Sequence, residues 1–422
     1  MFLRRKRFQG FSNAASVTSP RRPCLRFPYS TILSDTRNVL MNAGPLIEEE
    51  TLPHYQQDEF YPVKIGELLD SRYHVIGKLG YGASSTTWLC QDTSQKYFAV
   101  KALTKAASGP ARKTREMDIY SHLSHINSSH PGCTYIRGLY ESFQQEGPHG
   151  THQCLVHPPM HISLRQLVIQ SRSHRLNEVL LKRVLIYLFH ALDYLHSEAG
   201  VIHTDIKSSN IMFSIDDSTI LSDFKAMESQ YPSLRKVIAG NRFIYHSRRF
   251  RLPRADMWGF PILCDLGQAR LGQKQQGYIQ PNIYKAPEVL FDMEWSHSVD
   301  IWNVGAMIWD IFEGKHLFSA LDEDKKYSPS HHAEMVAYLG LPSVEFVKRS
   351  QETKHVFDES GNWLGAGGVE IPDFSLEHAE QNLGGKSKSL FLDFIRSMLQ
   401  WEPEKRKSAR ALLEDPWLLE TS

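Results

Sequence analysis

Eight consecutive residues, His203-Thr204-Asp205-Ile206-Lys207-Ser208-Ser209-Asn210, place a carboxylate, an ammonium and a carboxamide at fixed spacing. Asp205 can accept a hydroxyl proton, Lys207 can hold a phosphate, and Asn210 can ligate Mg²⁺. Phosphoryl transfer has these needs, because it depends on positioned cations and an oriented nucleophile more than on covalent chemistry. A His-x-Asp turn also occurs as plain loop chemistry, so the octet needs support from the rest of the chain.

Leu79-Gly80-Tyr81-Gly82-Ala83-Ser84-Ser85-Thr86-Thr87 carries glycines whose backbone N–H groups can approach phosphate oxygens closely. Read alone, it is equally an ordinary hairpin turn. Lys101 closes the apolar run Ala99-Val100-Lys101 and can reach phosphates, or simply be a solvated strand lysine. Glu116 can orient Lys101 through an ion pair, with Asp118 as its competitor. Asp265-Leu266-Gly267 follows the apolar run Pro261–Cys264 and suits a second metal carboxylate. Downstream come Ala286-Pro287-Glu288, then Asp300-Ile301-Trp302-Asn303-Val304-Gly305, then Arg406, which can pair with Glu288.

These groups need rigid elements to hold them. Tyr73–Leu79, Thr86–Gln91 and Lys96–Leu103 read as strands, with further strands at Tyr135–Phe143 and Cys154–His157. A helix fits 110–124 after Gly109-Pro110. Beyond Pro158-Pro159 the pattern becomes helical. Leu181, Val184, Leu185, Leu188, Leu192 and Leu195 share one face of a helix over 176–197. Residues 299–312 are apolar nearly all round, as in a buried helix, and further helices fit 387–400 and 406–414.

Composition excludes several classes. A net charge of +1 over 422 residues gives no global field toward nucleic acid or acidic lipid. No apolar run is long enough to span a bilayer. The five cysteines (24, 90, 133, 154, 264) form no CxxC pair, which points to reduced thiols. Residues 1–34 hold seven Arg/Lys, five serines and no Asp or Glu. That composition is shared by a mitochondrial transit peptide and a disordered basic arm. Residues 35–60, with Glu48-Glu49-Glu50 and Pro53, read as an acidic linker.

In order and spacing, GxGxxS, AVK, Glu116, HTDIKSSN, DLG, APE, DIWNVG and Arg406 resemble a eukaryotic protein kinase over residues 73–418. LGYGASSTTWLC (79–90), IHTDIKSSNIMF (202–213), CDLGQAR (264–270) and IQPNIYKAPEVL (279–290) resemble the SR-protein kinases of the CMGC group, in their fungal form. The resemblance implies an α+β, bilobal kinase fold. Its β-rich N-lobe would span 73–159 and its mainly helical C-lobe 160–418, with an insertion near 216–260. It implies ATP and Mg²⁺ as cofactors, Leu79 to Thr87 over the nucleotide, and Lys101 and Glu116 as the ion pair. By the same carry-over, Asp205 is the proton acceptor beside Lys207, and Asn210 and Asp265 are the Mg²⁺ ligands.

Several positions depart from that pattern. Thr204 stands where the family usually has the arginine that receives a phosphorylated activation loop. Between Gly267 and Glu288 there is no Ser or Thr at all, so receiver and phosphosite are missing together. This implies an activation segment that folds without Ser/Thr phosphorylation. Asp223-Phe224-Lys225 competes with Asp265 for the metal role, being nearer Asn210 in sequence, but lacks the following glycine. Thr87 replaces a valine, His157-Pro158-Pro159-Met160 occupies the hinge, and Lys285 replaces an arginine.

A serine/threonine protein kinase is the leading expectation, with a catalytically weak scaffold and a small-molecule phosphotransferase as alternatives. The resemblance implies a protein substrate, Arg/Ser-rich; the charge balance and the lack of a long apolar run imply no direct nucleic acid or membrane partner, and a monomeric chain is expected. Acidic residues Asp310, Glu313, Asp322, Glu323, Asp324 and Glu334 are candidates to attract arginines, although a charge run is usually a solvated face. Cytoplasm or nucleus is the expected location, with the mitochondrion as the alternative carried by the leader.

Overall fold

The computed structural model describes residues 40–41, 44–108, 110–238, 242–254, 257–319, 329–365 and 368–420. The expected basic leader lies outside them. The first lobe is built on a six-stranded antiparallel sheet in the order β2-β3-β4-β5-β7-β6. Here β2 is Leu68–Leu69, β3 Tyr73–Gly82, β4 Ser85–Gln91, β5 Tyr97–Leu103, β6 Glu141–Gly147 and β7 Gly150–His157. A two-residue link, Ala83-Ser84, joins β3 to β4, so the glycine-bearing stretch is the tip of a hairpin. Helices α1 (Lys105–Ser108) and α2 (Pro110–His125) follow β5. The expected strand over Tyr135–Phe143 forms later than its pattern implies. Residues Pro131–Tyr135 make a 3₁₀ turn, and the strand begins at Glu141.

The second lobe begins at β8 (Met160–Ser163), which pairs with β10 (Ile211–Ile215). In turn, β10 pairs with β13 (Trp258–Leu263). Helix α3 (Leu164–Gln170) starts in a capping box of Ser163 and Gln166. Helix α4 (Glu178–Asp193) starts at Asn177, whose side chain accepts the Leu180 N–H at 2.8 Å. Its leucine face is buried as the spacing predicts. After α6 (Pro287–Leu290), helix α7 (Ser298–Glu313) buries every residue but Asp310 and ends at Gly314, whose φ of +73° favours a residue without Cβ. Helices α8 (Pro329–Leu339), α9 (Val344–Val347), α10 (Leu376–Ala379), α11 (Gly385–Met398), α12 (Ala409–Leu413) and α13 (Pro416–Leu419) complete the lobe. Its core packs Trp302, Trp309, Phe391, Phe394 and Trp417, all essentially unexposed. Each such side chain contributes about 1.5–3 kcal/mol by leaving water.

Two expectations are corrected. Residues 44–60 are not a linker. Glu48–Thr51 is a 3₁₀ turn pressed on β3, where Lys78 is wholly buried and ion-pairs with Glu49 and with Glu48 at 3.3 Å. A fully buried ammonium needs carboxylates beside it, and the triple-glutamate run supplies them. The insertion near 216–260, expected within the helical lobe, packs on the first lobe instead. Helix α5 (Thr219–Gln230) lies against β3, with the Phe224 ring 2.9 Å from where a Cβ on Gly77 would sit. The hairpin β11 (Arg235–Ile238) to β12 (Arg242–Tyr245) pairs through β11 with β1 (Leu40–Met41). It delivers Tyr245 into the core under Trp88 and Val75. The Tyr245 carbonyl also accepts from Lys78 Nζ at 3.1 Å.

Glu288 and Arg406 meet as a bidentate pair at 2.6 and 2.7 Å with both side chains inaccessible. Arg406 also donates to Gln400 O and Ser298 O and lies over the Trp302 ring. R406A strands the Glu288 carboxylate, so its unfolding free energy in urea should fall by about 3–5 kcal/mol. A loss of less than about 1 kcal/mol, the scale of an exposed pair, would contradict this account.

Candidate active site

The cleft between the lobes is assembled by strand register and by a buried carboxylate. Pairing of β4 with β5 sets Thr87 opposite Lys101. Lys101 Nζ reaches Glu116 at 3.2 and 3.3 Å and Asp265 Oδ1 at 3.1 Å. Glu116 is buried on α2 whereas Asp118 is exposed, which decides between the two carboxylates. Burial opposes the charge on Lys101, but Asp265 and Glu116 outweigh it and raise its pKa above the usual lysine value. The same ammonium holds Asp265 below the usual carboxylate range, against the effect of desolvation. A Cβ on Gly267 would sit 3.3 Å from Asp265 Oδ1 and 3.4 Å from Glu116 Oε2, so the glycine keeps this charged cluster uncrowded.

The octet 203–210 is held from below by Asp300 at the start of α7. Asp300 Oδ2 accepts the His203 N–H at 2.8 Å and Oδ1 the Thr204 N–H at 2.7 Å. His196 Nε2 also bonds Oδ2 at 2.8 Å. Burial raises the Asp300 pKa, but bonds and charge from His196 and His203 bring it below the usual value. These bonds fix Thr204 at φ +67°, an unusual conformation for a β-branched residue; Asp265 is similarly at +66°. Strained backbone of this kind persists only where its surroundings over-determine it. Above them Asp205 accepts from Lys207 Nζ at 2.7 and 3.0 Å and from Asn210 Nδ2 at 3.0 Å. Cys264 joins the two halves, its N–H donating to Asn210 O and its carbonyl accepting from His203 Nε2.

A cavity of about 320 Å³ opens between Leu79, Gly80, Tyr81 and Thr87 above and Met160, Ser163 and Met212 below. A Cβ on Gly80 or Gly82 would meet no protein atom within 4 Å. The hairpin tip is pinned instead by Thr86, which accepts from Trp88 Nε1, and by Ser84 O, which accepts from Thr104 N. The Pro158 carbonyl accepts from Arg137. A second opening, lined by Asp205, Lys207, Gln268, Gln280 and Lys285, approaches Asp205 from the activation segment.

Much of that segment's order comes from neutral groups. Strand β14 (Arg270–Leu271) pairs with β9 (Val201–Ile202). Thr204 Oγ1 donates to Gln268 O at 2.8 Å. Gln280, at φ +70°, accepts from Ala286 N and donates to Asn303 Oδ1 and Val299 O. Trp295 Nε1 donates to Gly277 O at 2.9 Å. Spacing did not single out Gln280, and Asp300 was visible only as the start of a buried helix. Lys285 bonds Asn282, and buried Tyr284 bonds Asp310.

Asp223 stands apart. It is half-exposed on α5 and pairs with Arg251 at 2.6 Å. The acidic run is also corrected. Asp310 is engaged by Tyr284 and His316, Glu313 is buried, and Glu334 bonds Ser319. Asp322, Glu323 and Asp324 lie outside the described residues. No acidic docking face forms among the described members.

A model of the protein kinase domain matches residues 73–244 and 256–418. The chain belongs to the protein kinase family. This kinase is 42% identical over 383 residues to a serine/threonine protein kinase of Aspergillus fumigatus, covering 90% of the chain and 93% of the relative. SRSF protein kinase 3 of Mus musculus is 32% identical over 558 residues, covering 97% and 95%. The serine/threonine-protein kinase SRPK of Physarum polycephalum is 27% identical over 391 residues, covering 88% and 91%. The kinase is thus a serine/threonine protein kinase of the SR-protein-kinase type, and as a protein kinase it uses ATP and a divalent metal ion. No helix among its described residues is long and apolar enough to cross a membrane.

Asp265 and Asp223 can be separated directly. D265N should lower kcat by at least about 100-fold, the scale of a lost charge-stabilising group, while D223N keeps kcat. The opposite ranking in a steady-state phosphorylation assay would reverse the assignment.

Proposed function

We propose that the cleft moves the γ-phosphoryl group of ATP to a serine or threonine hydroxyl of a protein, with Mg²⁺ held by Asn210 and Asp265. The observation that carries this reading is that Lys101, Glu116 and Asp265, from three distant segments, meet in one ion cluster, and that Asp205, Lys207 and Asn210 form a second whose Lys207 charge acts on Asp265. Asn210 spends its amide N–H on Asp205, which leaves the amide oxygen, and Lys101 takes Asp265 Oδ1, which leaves Oδ2. Two hard oxygens suit Mg²⁺, which prefers one or two protein ligands with phosphate and water completing its shell. When bound, the metal would neutralise phosphate charge.

In this mechanism Asp205 faces the incoming hydroxyl and accepts its proton. The substrate oxygen bonds to the γ-phosphorus as that phosphorus parts from its bridging oxygen, and ADP leaves. Lys207 shares the Asp205 carboxylate and pairs with the transferring group. Lys101, oriented by Glu116, pairs with the α- and β-phosphates. The backbone of Leu79 to Thr87 covers the nucleotide, whose base lies between Leu79, Ala99 and Met212.

The activation segment is competent without Ser/Thr phosphorylation. The Thr204–Gln268 bond and the Gln280 hub support this, because they supply in neutral form the order that a phosphate–arginine pair would give. Arg/Ser-rich proteins are the proposed substrates, on the strength of relatives named SRPK and SRSF protein kinase.

Purified enzyme treated with phosphatase should keep its turnover, and activity lost on treatment would refute an unphosphorylated active state. D205N should lower kcat by about 10²–10⁴-fold, the usual worth of a positioned base. Phosphorylation of an oriented peptide library, read by mass spectrometry, should select Ser beside Arg; selection of sites lacking arginine would remove the substrate proposal alone.

A further inference from the structure

The insertion returns to the helical lobe through an irregular limb over Ser247–Pro253, and this limb is fastened to both lobes. Arg248 N donates to Lys78 O on β3 at 2.9 Å. The Arg251 carbonyl accepts from His161 Nε2 on β8 at 2.8 Å. Side chains lock the same two ends. Arg248 pairs with Glu228, and Arg251 pairs with Asp217 at 3.0 Å and Asp223 at 2.6 Å. The Phe250 ring is held between His161, stacked at 6.1 Å, and Phe224 at 5.1 Å.

Between its fastenings the limb forms part of the wall of the cavity that also has Leu79, Ala99 and Met212 in its lining. Arg249 is on that wall, is exposed, and its guanidinium donates no hydrogen bond and forms no ion pair among the described residues. Its neighbours Arg248 and Arg251 are fully committed, so Arg249 is the cation of the limb left for a ligand. The protein kinase model breaks at residues 245–255, so this wall comes from outside the pattern common to the family.

We propose that the limb is an added nucleotide-binding element, in which Phe250 covers the base at the mouth of the cavity and Arg249 pairs with the nucleotide's phosphates. The proposal rests on the cavity being the nucleotide site. A guanidinium presents a planar fork that matches phosphate oxygens, and such pairs are stronger than neutral hydrogen bonds. An apolar ring over the opening shields the base from water and keeps the mouth narrow. The limb also offsets the hinge, where Pro158 and Pro159 have no N–H to give to a base.

Isothermal titration of the full chain with adenosine, ADP and ATP, in Mg²⁺, separates the two roles. R249A should weaken ADP and ATP by roughly tenfold and leave adenosine unchanged, with R249K in between. F250A should weaken all three ligands alike. F250L, which preserves packing on Phe224, should weaken them less, and thermal melts of each variant check folding. Wild-type affinity for ADP in both R249A and F250L would overturn the proposal. Equal weakening of adenosine and ADP in R249A would overturn the phosphate pairing. Binding needs no turnover, so a chain that binds ADP as described yet phosphorylates no peptide would refute the kinase mechanism and leave this wall standing. A wild-type chain that binds none of the three ligands would overturn both.

Discussion

One ammonium group ties the two lobes together at the candidate active site. Lys101 comes from the sheet, Glu116 from the helix behind it, and Asp265 from the end of the strand that leads into the activation segment. Each carboxylate alone would bear the cost of desolvation, and the lysine between them turns that cost into a positional constraint. The inward placement of α2, the left-handed turn at Asp265 and the close packing at Gly267 all follow from satisfying that charge.

Asp300 plays the matching part below. Its two oxygens take the N–H groups of His203 and Thr204 while His196 completes the set. The octet is therefore positioned through its backbone, with Asp205 and Lys207 only partly buried while His203, Thr204, Ile206 and Asn210 are buried. Thr204 adds a short bond to the activation segment where a longer cationic side chain is usual in this family. Much of the order in that segment then comes from amides and hydroxyls, with the Tyr284–Asp310 and Lys285–Asn282 bonds adding charged partners.

Much of this was legible from spacing. The hairpin, the Lys101 strand, the leucine face of α4 and the buried α7 follow from local periodicity and turn residues, which act over a few residues. Asp265 was preferred to Asp223 because a glycine follows it, and that glycine proves to be the residue that leaves room beside Glu116. What spacing did not carry was closure over long distances. Glu48-Glu49-Glu50 has the composition of a solvated run, and only the burial of Lys78, some thirty positions later in the chain, makes it interior structure. The acidic residues around Asp310 failed in the opposite sense, because partners such as Tyr284 and Ser319 draw them inward. Gln280 has no signature at all, since a lone glutamine becomes a hub only once α7 lies beside it.

The capping of β3 by residues 224–250 has a consequence for biogenesis. The sheet is synthesised well before the helix and hairpin that cover Gly77, Trp88 and the Lys78 ammonium. While the chain is emerging, that lobe has its strands but not its lid, and an apolar and charged face stays wet until Tyr245 and Phe250 arrive. Nascent fragments ending before this point should recruit chaperones or clump, whereas fragments that include it have what they need to close the face.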